Sequence, residues 1–330
     1  MIKHIKRGDN LNIEMIIKKA IDTIYGKLLK VKNKENVLII CDKNTKKIAE
    51  KFFEYGHVYG NHSLCLEIKV GKRNGEEPEK EVGKLFLEYN AIIIITTKSL
   101  SHTTARKKAT AKGARIFTSS GINESILRRC VDIDYKKMGK LHNNLYKYMK
   151  KVKKVRITSK KGTNLSFKIY NDKIEYGCSM DKKGSFTNIP LGEVFVAPKE
   201  GTAEGVFIVD GSFAGVGKLE KEIVVEVKKG YATEIKGGKE AKQLVKILKS
   251  VKNKNAFNIA ELGIGTNPKA KISGSVIEDE KVLGTCHIAL GSNFSFGGKV
   301  KVPIHLDGII KKPTIYFDNK VIMKEGKLLI

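Results

Sequence analysis

The sequence predicts an α/β N-terminal domain with a mostly parallel sheet, followed by a β-rich α+β C-terminal domain. Three observations carry that expectation. Short aliphatic runs alternate with helical stretches over the first part of the chain. From about Val155 the texture changes to alternating runs joined by glycine- and lysine-rich turns. A length of 330 residues is enough for two domains rather than one.

In the first part, "NVLIICD" (36–42), "AIIIITT" (91–97) and "ARIFTSS" (114–120) are short and rich in β-branched residues. They read as strands buried on both faces. Between them lie "TKKIAEKFFEYGH" and "EKEVGKLFLEYN", whose apolar residues recur at helical spacing. Strands alternating with helices imply a parallel sheet covered on both sides. No GxGxxG follows any of these strands. The nearest Walker-like string, "SFAGVGKLE", lacks the first glycine and the hydroxyl residue, which excludes a nucleotide site of either kind.

The charge run "YKYMKKVKKV" (146–155) marks a boundary and gives domains of 1–152 and 153–330. Beyond it, "VRITSKKGTNLSFKIY", "EIVVEVKKGYATEIKGG" and "KPTIYFDNKVIMKEGKLLI" read as antiparallel strands. "KEAKQLVKILKS" (239–250) interrupts them as a helix.

Composition narrows the function classes. An apolar fraction of 41% supports buried cores. The N-terminal stretch is broken by charge throughout, unlike a signal peptide, and the longest aliphatic run is far short of the ~20 residues that span a bilayer. A soluble, cytoplasmic protein with no membrane partner is expected. The five cysteines (Cys41, Cys65, Cys130, Cys178, Cys286) form no CxxC pair, so reduced thiols are expected. Cys286, beside His287, reads as a small buried residue.

The net charge of +28 comes almost wholly from lysine, with seven arginines and none after Arg156. It is spread along the chain and accompanies no nucleic-acid-binding motif. We read it as a solvated lysine surface that attracts polyanions weakly, with no specific nucleic-acid partner.

Five polar residues sit within or beside apolar segments of the second domain. They are Glu193 in "EVFVAP", Glu261 in "FNIAELGIGTNP", His287 in "GTCHIALGSN", and His305 and Asp307 in "PIHLDG". Residues two apart on a strand share a face, so His305 and Asp307 point the same way. Burying such groups costs several kcal/mol, on the order given by transfer data, unless they are paired or bound to metal. Imidazole with carboxylate suits divalent first-row metals. The spacing forms no regular motif, and a metal set and individually satisfied core residues both remain open. Glu204 and Asp279–Glu280–Lys281 are either partners that orient ligands or solvated loop charges.

Taken in order, "NIPLGEVFVAPKEGTAEG", "AELGIGTNPKAKISGSVIEDEKVLGTCHIALG" and "PIHLDG" resemble the thermophilic metallopeptidases of the aminopeptidase T type. "SLSHTTARKKATAKGARI" in the first half extends the resemblance over most of the chain. It implies an α/β domain followed by a β-rich metal-binding domain. It places Glu193, Glu261, His287, His305 and Asp307 at the family's metal-ligand positions, holding two divalent ions (zinc, cobalt or manganese). The implied activity is a metallo-aminopeptidase, a hydrolase that releases N-terminal residues from a peptide substrate and works as a homodimer. Glu193 is the expected catalytic base.

One position departs from that family. Its metal-site tyrosine, seven residues after the first of these histidines, is Phe294 here, which can neither ligate a metal nor donate a hydrogen bond. The alternative is a mononuclear iron(II) ring-cleaving dioxygenase of the dihydroxypyridine type on a related scaffold, with His287, His305 and Asp307 as its two-histidine, one-carboxylate triad. A third reading is a metal-binding protein without peptidase activity.

Overall fold

A parallel sheet and a pair of antiparallel sheets divide the chain into two units in the computed structural model, which describes residues 7–60, 62–177 and 182–330. One unit is Met1–Ile133 with Gly177–Leu191, and the other is Asp134–Tyr176 with Gly192–Ile330. Cys178 lies outside the described residues.

The first unit is built on five parallel strands in the order His62–Ile68, Asn36–Asp42, Ala91–Ile95, Arg115–Thr118 and Phe186–Asn188. The aliphatic runs at 37–40 and 92–95 are fully buried, as expected of strands covered on both faces. Helices Thr104–Lys112 and Glu124–Cys130 begin where Thr103 and Asn123 accept backbone N–H bonds from Arg106 and Ile126, which satisfies groups that the helix cannot pair itself. Arg115 is buried and donates bidentately to Glu35 at 2.9 and 2.7 Å, with Nε bonded to the Leu29 carbonyl.

The second unit contains an eight-stranded and a seven-stranded sheet that share one apolar core. The larger sheet contributes Val155, Ile157, Phe167, Phe207 and Val225, and the smaller Val194, Val196, Leu262, Ile264, Ile288, Leu290 and Ile310. Strand periodicity then fixes everything else on the smaller sheet. Residues between these core positions point to the opposite face. Helix Lys239–Ser250 buries Ala241, Leu244 and Leu248, as its sequence pattern predicts. Cys286 lies in the shared core, where burial pushes its thiol far up. No helix among the described residues is long and apolar enough to cross a membrane.

Candidate metal centre

The register of the seven-stranded sheet brings the singled-out residues to one face. Five of its strands run antiparallel in the order His305–Lys311, Thr285–Gly291, Ile259–Gly265, Glu193–Val196 and, at the edge, Glu175–Tyr176. Gly265 pairs with Glu193, Gly263 with both Phe195 and His287, Ala289 with Asp307, and Gly291 with His305. A bulge between Ile259 and Glu261 shifts the register where Glu261 enters. All five expected residues therefore meet on the side away from the shared core, and His287, Glu261 and Asp307 are buried there.

Their geometry is that of a ligand cluster. Glu261 lies between the two imidazoles, with Oε1 3.1 Å from His287 Nε2 and Oε2 3.2 Å from His305 Nε2. His305 Nε2 is also 3.3 Å from Asp307 Oδ1, and His287 Nε2 is 3.6 Å from Glu193 Oε2. His305 Nδ1 lies 2.7 Å from the Ser292 carbonyl, to which it can only donate. That bond fixes the ring and leaves the Nε2 lone pair for a cation. Three overlapping groups place their ligand atoms within 4.8 Å of one another: Glu193–Glu261–His287, Glu261–His305–Asp307 and Glu280–His287–Asp307.

The electrostatics call for positive charge. Burial disfavours the imidazolium of His287, yet Glu261, Asp307 and Glu193 overcome it and hold the ring up at about 9. His305 is likewise raised well above its ordinary value, against its burial, by Asp307 and Glu261. Burial would raise Asp307, but His305 and its neighbours depress it to about 2. Glu193 Oε2 and Asp307 Oδ1 are buried without a hydrogen bond. The donor set thus fits a divalent cation, which would displace the imidazole protons and satisfy those oxygens.

Several side chains join the centre that the sequence singles out weakly or not at all. Glu280 completes the third group, and Lys281, almost fully buried, donates from Nζ to Glu280 Oε1 at 2.6 Å and to Glu193 Oε1. Glu175, opposite Phe195, has its carboxyl pushed up to about 7 by desolvation and by Glu261 and Glu193. Phe296 stands edge-on to both His305 and Phe195. Glu204 does not join: it is exposed on the other sheet and accepts from the Lys229 amide. Asp279 accepts from the Ser273 and Gly274 amides and so ties the neighbouring loop. Phe294 is 54% exposed, with the Lys301 ammonium 5.4 Å from its ring centre.

Residues 26–330 match the family described as NicX, 2,5-dihydroxypyridine 5,6-dioxygenase. A 2,5-dihydroxypyridine 5,6-dioxygenase of Pseudomonas putida is 26% identical over 258 residues, covering 72% of this chain and 71% of that protein. The solved structure of a 2,5-dihydroxypyridine dioxygenase from Pseudomonas putida KT2440 superposes with a TM-score of 0.81 at 18% identity, covering 97% of both chains. Wild-type AmpT from Thermus thermophilus superposes with a TM-score of 0.74 at 15% identity, covering 96% of this chain and 100% of that one. At that identity the AmpT likeness shows a shared fold and nothing of the reaction.

These findings overturn the expected metallo-aminopeptidase activity and the hydrolase and peptidase terms that went with it. The structure supplies a physical reason at Phe294. The side chain at the peptidase tyrosine position is an exposed phenylalanine, without a group to ligate metal or stabilise an oxyanion. Glu193, expected as the base of that hydrolysis, keeps its place in the cluster and accepts a hydrogen bond from the Lys281 ammonium through Oε1.

Proposed function

The chain belongs to the 2,5-dihydroxypyridine 5,6-dioxygenase family, and from that premise we propose that it is an iron(II)-dependent oxygenase that opens a dihydroxylated heteroaromatic ring. The observation that carries this reading is the convergence of two imidazoles and Asp307 on one buried face, with His305 fixed through its Nδ1. Two histidines and a carboxylate are the donor set of non-haem iron(II) oxygenases. His287, His305 and Asp307 would hold an iron(II) ion, which would supply the activation of oxygen and of the ring hydroxylate.

His287, His305 and Asp307 are the proposed ligands, with Glu261 as a fourth donor between the imidazoles. Asp307 is grouped with His305 in one set and with His287 in another, which supports a common centre. Phe195 and Phe296, packed edge to face beside His305, offer an apolar wall to a flat ring. Glu175, whose carboxyl is raised by desolvation and by the neighbouring Glu261 and Glu193, is placed to hold or accept a proton of a substrate hydroxyl.

The test is anaerobic purification and iron(II) loading, followed by an oxygen electrode with 2,5-dihydroxypyridine. Consumption of one O2 per substrate, and its loss in His305→Ala, is expected. Full turnover under strict anoxia would exclude the reading.

A further inference from the structure

Lys281 is among the largest fully buried side chains of the protein and sits inside the donor cluster. A buried ammonium costs several kcal/mol, on the order seen for desolvated ions, unless carboxylates compensate it. Here two do: Glu280 Oε1 at 2.6 Å and Glu193 Oε1. The backbone that carries it is pinned as well. The Lys281 amide donates to the Glu278 carbonyl at 2.9 Å, and its own carbonyl accepts from Asn267 at 2.8 Å. Leu283 returns a bond to the Asn267 carbonyl at 3.1 Å. The ammonium is a fixed charge rather than a side chain sampling solvent.

Its two partners are not random members of the cluster. Glu193 belongs to the group with Glu261 and His287, and Glu280 to the group with His287 and Asp307. Lys281 therefore engages one carboxylate in each of two candidate groups, and none in the third, Glu261–His305–Asp307. The donors that remain free of it are Glu261, His287, His305 and Asp307.

We infer that Lys281 sets the number of metal ions: its ammonium stands as the built-in counterpart of a second divalent cation, so the centre holds one ion per chain. The inference rests on the metal-binding reading of the centre given above. With neutral imidazoles, the carboxylates of Glu193, Glu261, Glu280 and Asp307 carry four negative charges, of which one divalent ion and the ammonium offset three. A second divalent ion would have to displace a fixed, buried ammonium from both Glu193 and Glu280, the carboxylates it would need as ligands. Removing the ammonium leaves those two carboxylates uncompensated and available together. A scaffold that could hold two ions is in this way confined to one.

The test uses full-length protein stripped with chelator and reconstituted without oxygen with zinc(II), manganese(II) or iron(II). Stoichiometry is read by native mass spectrometry and elemental analysis. Wild type is expected to bind one ion per chain and Lys281→Met, which removes the charge at similar length, two. The zinc-dependent rise in melting temperature should saturate at one equivalent in wild type and at two in Lys281→Met. If the variant is unfolded without metal, two equivalents of zinc should restore folding, and failure to do so overturns the inference. So does a wild type that binds two ions tightly with Lys281 intact, or a folded Lys281→Met that binds one. A wild type that takes up no ion at all removes the metal reading itself, and oxygen consumption by the iron-loaded protein decides the reaction separately.

Discussion

The imidazole of His287 lies directly over Gly263 on the neighbouring strand, so close that a methyl group at that glycine would come within 1.9 Å of His287 Nε2. The glycine is the floor on which the ring rests. Gly263→Ala should therefore leave the sheet paired but push the imidazole out of line. A stability loss of about 1–3 kcal/mol is expected from overpacking. Metal affinity should fall by about 10–100-fold, as when the support of a ligand is lost. Metal titration of the stripped variant checks this, and wild-type affinity in Gly263→Ala would show that the ring position is not critical.

Phe294 and Phe296 lie two residues apart on one short turn of helix, yet they face different surroundings. Phe296 is 8% exposed and packs against Phe195 and His305, whereas Phe294 is 54% exposed. Phe296→Ala should cost about 3–5 kcal/mol, the usual range for a buried phenylalanine, and loosen His305. Phe294→Ala should stay within about 0.5 kcal/mol of wild type. Urea unfolding of the two variants side by side separates them, and similar losses would mean that the turn is oriented differently.

The face shared by His305 and Asp307 is legible from strand periodicity alone, and the same alternation sends Cys286 into the core beside His287. Glu261 and His287 stand out because a charged or titratable group in an apolar run needs a partner. Lys281 stands out only weakly, because a lysine after two acidic residues reads equally well as a solvated loop charge. Only the fold reveals that its ammonium is buried against Glu193, 88 residues away in sequence. Glu175 sits on a two-residue strand, too short to show a period. The three-residue strand Phe186–Asn188, which joins the parallel sheet of the first unit, is hidden for the same reason. The reaction is misread from the sequence for a different cause. The quoted blocks are largely the turns and strands that build the scaffold, and that scaffold superposes on both AmpT and a dioxygenase. Phe294 is the residue in the sequence that speaks against the peptidase.

In the first unit, the guanidinium of Arg115 is 6% exposed and is paired with Glu35, whose carboxyl it holds below the usual range against the cost of burial. Arg115→Ala leaves Glu35 bonded to the Lys32 amide but without its guanidinium partner, and also frees the Leu29 carbonyl that Nε holds at 2.8 Å. The expected loss is about 3–5 kcal/mol, the range for breaking one partner of a buried pair. Chemical denaturation measures it, and a loss below about 1 kcal/mol, the value of an exposed pair, would show that solvent reaches the site.

His142 gives the protein a pH-dependent stability that is independent of the metal centre. It lies on helix Tyr135–Met149, fully buried, with Nε2 2.7 Å from Thr266 Oγ1 and its ring edge-on to Tyr176. Burial lowers its pKa from 6.5 to about 4, so the folded protein keeps the ring neutral while the unfolded chain protonates it. The unfolded state then binds more protons between the two values, and stability rises with pH across that window. The contribution is fully present above about pH 6.5 and is lost progressively as pH falls toward 4, where it levels off. Its size is on the order of 3 kcal/mol, since each tenfold change in proton affinity between the folded and unfolded chains is worth about 1.4 kcal/mol. Asp307, held low by its neighbours, adds a loss of its own only at still lower pH. Urea unfolding of wild type and His142→Gln at intervals from pH 7 to 4 isolates the histidine. The difference between the two should shrink steadily over that range. Parallel pH profiles would mean that His142 does not titrate differently in the folded and unfolded chains.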